Sequence, residues 1–175
     1  AGVSAWQLLK GRANDGSRHA LRTAVAAVAV LIPLQFVMGD LHGLNTLEHQ
    51  PAKIAAIEGL WHTEKGAPLT LFGLPNAAQG RTDYAVRVPK AASLILAHDA
   101  QAELRGLNEF AGAHPPVAPV FWAFRAMVGT GMAMLVVAWT AAWMLVRHRQ
   151  GGVETLPRWL LYTLAGMTFS GWVAT

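Results

Sequence analysis

The sequence predicts an all-α membrane protein, a transmembrane helix bundle fragment with a long extracytoplasmic loop. Three observations predict it. Hydrophobic residues make up 53% of the chain and charged residues only 14%, against roughly 25% charged in a typical globular domain. Residues 23–39 and 126–146 carry no charge at all, and an apolar helix of about 20 residues spans a bilayer. The charged residues fall in the segments that separate such apolar runs, as in a chain that alternates between lipid and water.

Residues 1–9 (AGVSAWQLL) read as the end of a transmembrane helix, stopped by Lys10, Gly11 and Arg12. Residues 10–22 form a polar loop, and 23–39 form the next transmembrane helix. Pro33 lies inside that run. It would break a soluble helix, but in a bundle neighbouring groups can satisfy the carbonyl it frees. Residues 40–118 form the long loop, where scattered Gly and Pro, a Pro-Pro pair and recurrent apolar stretches (LTLFGLP, AASLILAH) predict a folded excursion with short helices. Residues 119–146 return through the membrane, 147–158 form a second short loop opened by Arg147, His148 and Arg149, and 159–175 begin another span. Both termini fall within apolar runs and no signal peptide is visible, which predicts an internal piece of a longer protein.

Orientation follows from the bases. Loop 10–22 holds Lys10, Arg12, Arg18 and Arg22 against Asp15, and loop 147–158 holds Arg147, Arg149 and Arg158 against Glu154. The long loop has more acids than bases. The positive-inside rule therefore places both short loops in the cytoplasm and 40–118 outside. Helix alternation requires the same arrangement.

Composition also excludes several chemistries. Without cysteine there is no disulfide, iron–sulfur cluster or thiolate zinc site, so a metal would be held by His, Met or carboxylate. The basic residues form no stripe with interleaved aromatics, so nucleic acid is not an expected partner. None of the seven His residues forms an HExxH pair, and no P-loop, nucleophile elbow or dinucleotide fingerprint occurs. Glu58 and His62 stand four apart, two potential ligands where a metal needs more.

Two segments stand out. In HQPAKIAAIEGLW (49–61), Lys53 and Glu58 flank four small or apolar residues. Five positions place the two side chains about 140° apart on a helix, which is no salt-bridge spacing. A solvated surface helix and a site for an amphipathic ligand needing a proton acceptor both remain open. In PVFWAFRAMVG (119–129), Arg125 stands in an apolar segment. Such an Arg either reaches out to headgroups or has a function. Met127 beside it is by itself an ordinary space-filling residue.

The runs GVSAWQLLKGR, Gly39-Asp40, QPAKIAAIEGLW, TLFGLPN, VPKAASLIL, PPVAPVFWAFRAMVG and SGWVAT, in that order, resemble cytochrome bd oxidase subunit I over essentially the whole chain. The loop is similar to the short type often associated with cyanide-insensitive oxidases. The resemblance implies a quinol:oxygen oxidoreductase of the bacterial inner membrane, acting in aerobic respiration with electron transport and a proton gradient. It implies cytochrome bd subunit II, membrane quinol and the lipid bilayer as partners. Lys53 and Glu58 match residues implicated in quinol binding and oxidation, with Gln50 and Asp40 at weaker matching positions. Met127 matches an axial ligand of a low-spin haem b, and Arg125 matches a residue implicated in haem electrostatics. His98 stands where some members have Arg.

The full subunit would carry a further haem b and a haem d or b. The His partner of Met127, the N-terminal haem-ligating His and the Glu after the GWVAT segment would lie outside these residues, so the chain alone is expected to be inactive. Two rivals are a membrane transport or scaffold protein whose outer loop binds a partner, and another quinol-dependent b-haem protein. The first leaves the ordered matches unexplained. The second calls for paired His within apolar runs, which this sequence lacks.

Overall fold

A computed structural model describes residues 1–110, 112–148 and 152–174. Arg149 and Thr175, which the sequence reading used for a loop and a chain end, lie outside the described residues. Among the described residues there are six α-helices: α1 (Gly2–Leu9), α2 (Asp15–His49), α3 (Pro51–Glu58), α4 (Ala91–Ala97), α5 (Val117–Arg147) and α6 (Arg158–Ala174). Four strands, β1 (Glu64–Lys65), β2 (Leu69–Asn76), β3 (Arg81–Val88) and β4 (Glu103–Leu104), lie between α3 and α5. The chain divides into two compact units, one of Ala1–Phe36 with Ala126–Thr175 and one of Val37–Arg125.

The first unit is helical. α2 and α5 are long and apolar enough to cross a membrane, and only 6% of the most apolar window of each is buried. A core helix of a soluble protein would be mostly buried; these two present Val30, Leu31 and Leu34, and Trp139, Trp143 and Val146, to their surroundings. In a membrane protein these are lipid-facing side chains. The core of the unit is Leu21 and Val25 of α2, Ala141 and Leu145 of α5, and Leu160, Leu161 and Leu164 of α6, with Ala5 of α1. Gly2 allows α1 to lie closely on α6, because a Cβ there would strike the Thr168 side chain, a small-residue contact of the kind that joins membrane helices.

Pro33 has no N–H to offer the carbonyl four residues back, which is that of Ala29. Trp139 of α5 supplies the missing donor, its Nε1 lying 2.9 Å from the Ala29 oxygen. The helix thus continues through its proline, as the bundle argument predicts.

α2 outruns the apolar stretch 23–39 at both ends. It begins in the polar stretch read as loop 10–22, because Asn14 and Ser17 cap it reciprocally. The Ser17 N–H donates to Asn14 Oδ1 at 2.8 Å, and the Asn14 N–H donates to Ser17 Oγ at 2.9 Å, a capping-box arrangement. It ends at His49 because the next residue, Gln50, precedes Pro51, and a residue before proline avoids helical geometry. Pro51 then opens α3 at a position where it is pre-organised. Likewise α5 is two residues longer at its start than the 119–146 run, and one residue longer at its end.

The second unit differs from the short helices expected of it by carrying two antiparallel two-stranded sheets. β2 pairs with β3 and β1 with β4. The β2–β3 register runs from Leu69 opposite Val88 to Asn76 opposite Arg81, with irregularities around Leu71 and Gly73. α3 ends at Gly59, in left-handed geometry (φ 62°). Its N–H reaches the Ala56 carbonyl, and the Leu60 N–H reaches that of Ala55, the pairing that closes a helix on a glycine. Two small cores form, Ala55, Ala56, Leu107 and Val117 in one, and Leu60, Ala67, Ala92 and Leu104 in the other.

Gly106 is fixed by close approach. A Cβ there would lie 2.6 Å from both the His62 Cα and the Thr63 nitrogen. Backbone atoms do not yield as side-chain tips do. Gly106→Ala is therefore expected to destabilise the unit by roughly 1–3 kcal/mol, read as a lower thermal midpoint of the full-length protein. An unchanged midpoint would show that the segment has room.

Candidate functional site

α3 separates two environments. On one side an open hollow of about 470 Å³ is lined by His49, Gln50, Pro51, Ala52, Lys53, Phe110, Ala113, Pro115 and Val120. Its polar groups come from the break between α2 and α3, where Gln50 ends one helix and precedes Pro51 of the next. The Gln50 N–H still donates to the Thr46 carbonyl at 2.8 Å, so the break is anchored. Lys53 is exposed here. The remaining wall is apolar, and this size and mixture suit a small organic ligand.

On the other side, Glu58 is 3% exposed. The Thr70 N–H of β2 donates to its Oε2 at 3.3 Å, and Arg125 Nη2 stands 4.0 Å from the same oxygen. Burial raises the Glu58 pKa to about 7, while the charge of Arg125 and the Thr70 bond act in the opposite direction. Desolvation wins because an ion removed from water loses more than one imperfect partner returns. A carboxyl poised near neutrality can hold or release a proton at physiological pH.

Arg125 is committed inward. Its side chain is 13% exposed. Nη1 donates to the carbonyls of Ile57 at 2.7 Å and Phe121 at 3.0 Å, and Nη2 donates to that of Thr70. The guanidinium also lies over the Phe121 ring, 3.3 Å from its centroid. The alternative in which Arg125 reaches out to lipid headgroups is thus replaced by a clamp on α3 and β2. Its buried Nε–H has no partner among the described residues.

Lys53 and Glu58, a pair in the sequence motif, are not brought together. No ion pair or hydrogen bond joins them among the described residues, consistent with their helical separation. Gln50 and Lys53 share the hollow. Asp40 lies within α2 and meets His98, whose Nε2 is 3.1 Å from Asp40 Oδ2. Met127 belongs to the other unit and is 44% exposed. Among the described residues no group of three His, Cys, Asp or Glu gathers to hold a bare ion.

Sequence reasoning missed Thr70, Phe121 and Thr82. Thr70 acts through its backbone, which no side-chain pattern reports. Thr82 accepts from Trp61 Nε1 at 3.0 Å and donates to the Gly59 carbonyl at 3.0 Å, tying β3 to the end of α3. The only advance signal was the glycine itself, where a Cβ would crowd Thr82 Oγ1 at 2.9 Å.

Comparison with known proteins gives a consistent result. The family model described as cytochrome bd terminal oxidase subunit I matches residues 1–175. The chain is 27% identical to the cytochrome bd ubiquinol oxidase subunit 1 of Bacillus subtilis (strain 168), covering 100% of this chain and 40% of that protein. It is 25% identical to the cytochrome bd-II ubiquinol oxidase subunit 1 of Escherichia coli (strain K12), over 91% of this chain and 43% of that one. The latter alignment extends over 228 residues, more than this chain contains, so the Escherichia coli relative carries inserted residues within the matched span. The solved bd oxidase from Geobacillus thermodenitrificans superposes with a TM-score of 0.86 at 26% identity, covering 99% of this chain and 39% of that one. The chain thus spans about 40% of the length of the relatives it matches.

Proposed function

Because the chain belongs to the cytochrome bd terminal oxidase subunit I family, we propose that it forms the quinol-oxidising part of an oxidase that passes electrons from membrane quinol to dioxygen. The observation that carries this is the two-sided build of α3. One side lines a ligand-sized hollow with Gln50 and Lys53; the other buries Glu58 with a pKa near neutrality.

The quinol head occupies the hollow, its ring on Pro51, Phe110 and Val120. The Lys53 ammonium donates to a quinol oxygen and stabilises the negative charge that develops as a proton leaves. Glu58, behind α3 and outside the hollow, takes up a proton relayed from the head rather than received by contact, its raised pKa matching the task at neutral pH. Asp40, held by His98, fixes the α2 end of the loop segment. The loop 40–118 faces the periplasm of a multi-pass inner-membrane protein, so protons are released outside. Subunit II of the oxidase completes the complex.

Met127 would supply its thioether to hold a low-spin haem b, and Arg125, two positions away on α5, would contribute positive charge. Haem with Met/His ligation, when bound, supplies one-electron chemistry at a potential suited to accepting electrons. Further haems, b with d or b, belong to the remainder of the subunit.

The test uses membranes containing the full-length parent protein. A reduced-minus-oxidised spectrum with low-spin b bands, together with quinol-driven oxygen uptake, is the expected result. A merely partner-binding loop predicts neither. In the same membranes Met127→Leu is expected to abolish the low-spin b signal, and an unaltered spectrum would remove Met127 as a ligand.

A further inference from the structure

The hollow beside α3 has a polar side chain with no role in the reading above. His49, the last residue of α2, lines it together with Gln50 and Lys53. Its Nδ1 lies 3.0 Å from the Asn45 carbonyl oxygen. A carbonyl only accepts hydrogen bonds, so in the neutral imidazole that contact places the proton on Nδ1 and leaves the lone pair on Nε2. Nε2 has no partner among the described residues. The backbone of its own helix therefore presets His49 as an acceptor.

The wall of the hollow then combines complementary groups. Lys53 can only donate, His49 Nε2 in this tautomer can only accept, and the Gln50 amide does either. An anion such as phosphate would find Lys53 but face a lone pair. A cation would find the lone pair but face Lys53. A neutral aromatic ring with hydroxyl groups uses both, while Phe110, Pro51 and Val120 take its apolar face. Glu58 does not line the hollow and is 3% exposed, so it is not the first acceptor such a ligand meets.

We infer that His49 is a positioning residue for the quinol, accepting at Nε2 the hydrogen bond of one head-group hydroxyl while Lys53 donates to an oxygen of the same head. This rests on the reading of the hollow as the quinol site. It assigns His49 a binding role and leaves the redox step unchanged.

The experiment measures steady-state oxygen uptake with decylubiquinol, using membranes containing the full-length oxidase matched for haem content. The variants are His49→Leu and His49→Gln. Losing one ligand hydrogen bond is expected to raise KM about tenfold, with kcat within about twofold, because the interaction is made equally in ground and transition states. His49→Gln keeps an acceptor oxygen and is expected to return KM to within about threefold of the parent. A structural role would lower haem content or kcat and would not be rescued by Gln. If His49→Leu leaves KM unchanged in an active parent, this inference falls and the quinol-site reading stands. Equal defects in the Leu and Gln variants also overturn it, by showing that shape rather than acceptance matters. If the parent itself takes up no oxygen with quinol, the quinol-site reading fails and this inference fails with it.

Discussion

Arg125→Leu is expected to destabilise the Val37–Arg125 unit by about 1–3 kcal/mol, the usual cost of leaving buried polar groups without a hydrogen-bond partner. The loss has two sources. Glu58 would remain buried without its nearby cation, and the carbonyls of Ile57, Thr70 and Phe121 would lose a shared donor. Lysine would restore a charge but not the planar fork that reaches several acceptors at once, so Arg125→Lys should recover only part. Combining Arg125→Leu with Glu58→Leu should be milder than the sum of the two, since the double variant leaves no buried carboxyl without its partner. Thermal unfolding of the full-length protein and hydrogen exchange over α3 and β2 read these effects. A single Arg125→Leu variant with parental exchange would show that the clamp carries no stability.

Glu58→Gln is expected to lower quinol oxidation by about 10²-fold or more, the range for loss of a positioned proton acceptor, with haem content unchanged. Unchanged turnover would remove Glu58 as the acceptor. The same residue gives a pH signature. Its folded pKa, about 7, lies above the ordinary value of 4.5. Between those values the unfolded chain ionises while the folded one keeps its proton. The stabilisation is therefore fully present below pH 4.5, is lost as pH rises through about 7, and changes no further above that. The shift corresponds to about 3 kcal/mol. Hydrogen exchange over α3, corrected for its intrinsic pH dependence, should show protection falling over this interval in the parent. In Glu58→Gln the slope should disappear.

How much of this was legible in the sequence depended on the range of the interaction. The apolar runs 23–39 and 126–146 fall within α2 and α5 because hydropathy is a local property of consecutive residues. The helices run past those stretches because hydropathy records what a bilayer requires, whereas a helix ends where its capping groups stop it. Asn14 with Ser17, and the Gln50-Pro51 step, decide that. The β2–β3 hairpin was hidden because its irregular register breaks strict alternation, with Thr70 and Gly73 buried and Leu71, Phe72 and Leu74 all exposed. Tyr84 contributes to the irregularity, with a φ of 50° that side-chain-bearing residues seldom adopt.

The site was legible as a set of residue names but not as an arrangement. Spacing alone showed that Lys53 and Glu58 do not pair, and the structure places them in different surroundings. That Glu58 meets Arg125 from the far end of the loop segment could not be read locally. Three of Arg125's acceptors are backbone carbonyls, which every residue possesses and no motif marks. His49 was passed over because a lone histidine in a sequence has no tautomer; the Asn45 carbonyl gives it one.

The bond from Trp139 to the Ala29 carbonyl sets an order on how this bundle can change in descent. While Pro33 is present, replacing Trp139 strips a carbonyl of its donor in a segment where lipid offers none. Once Pro33 has been exchanged for a residue with an N–H, that carbonyl is served from within its own helix and Trp139 is free to vary. The two positions should therefore be lost in one sequence, proline first. Among related chains, a tryptophan without the proline should be an ordinary finding, and the proline without a donor at position 139 a rare one.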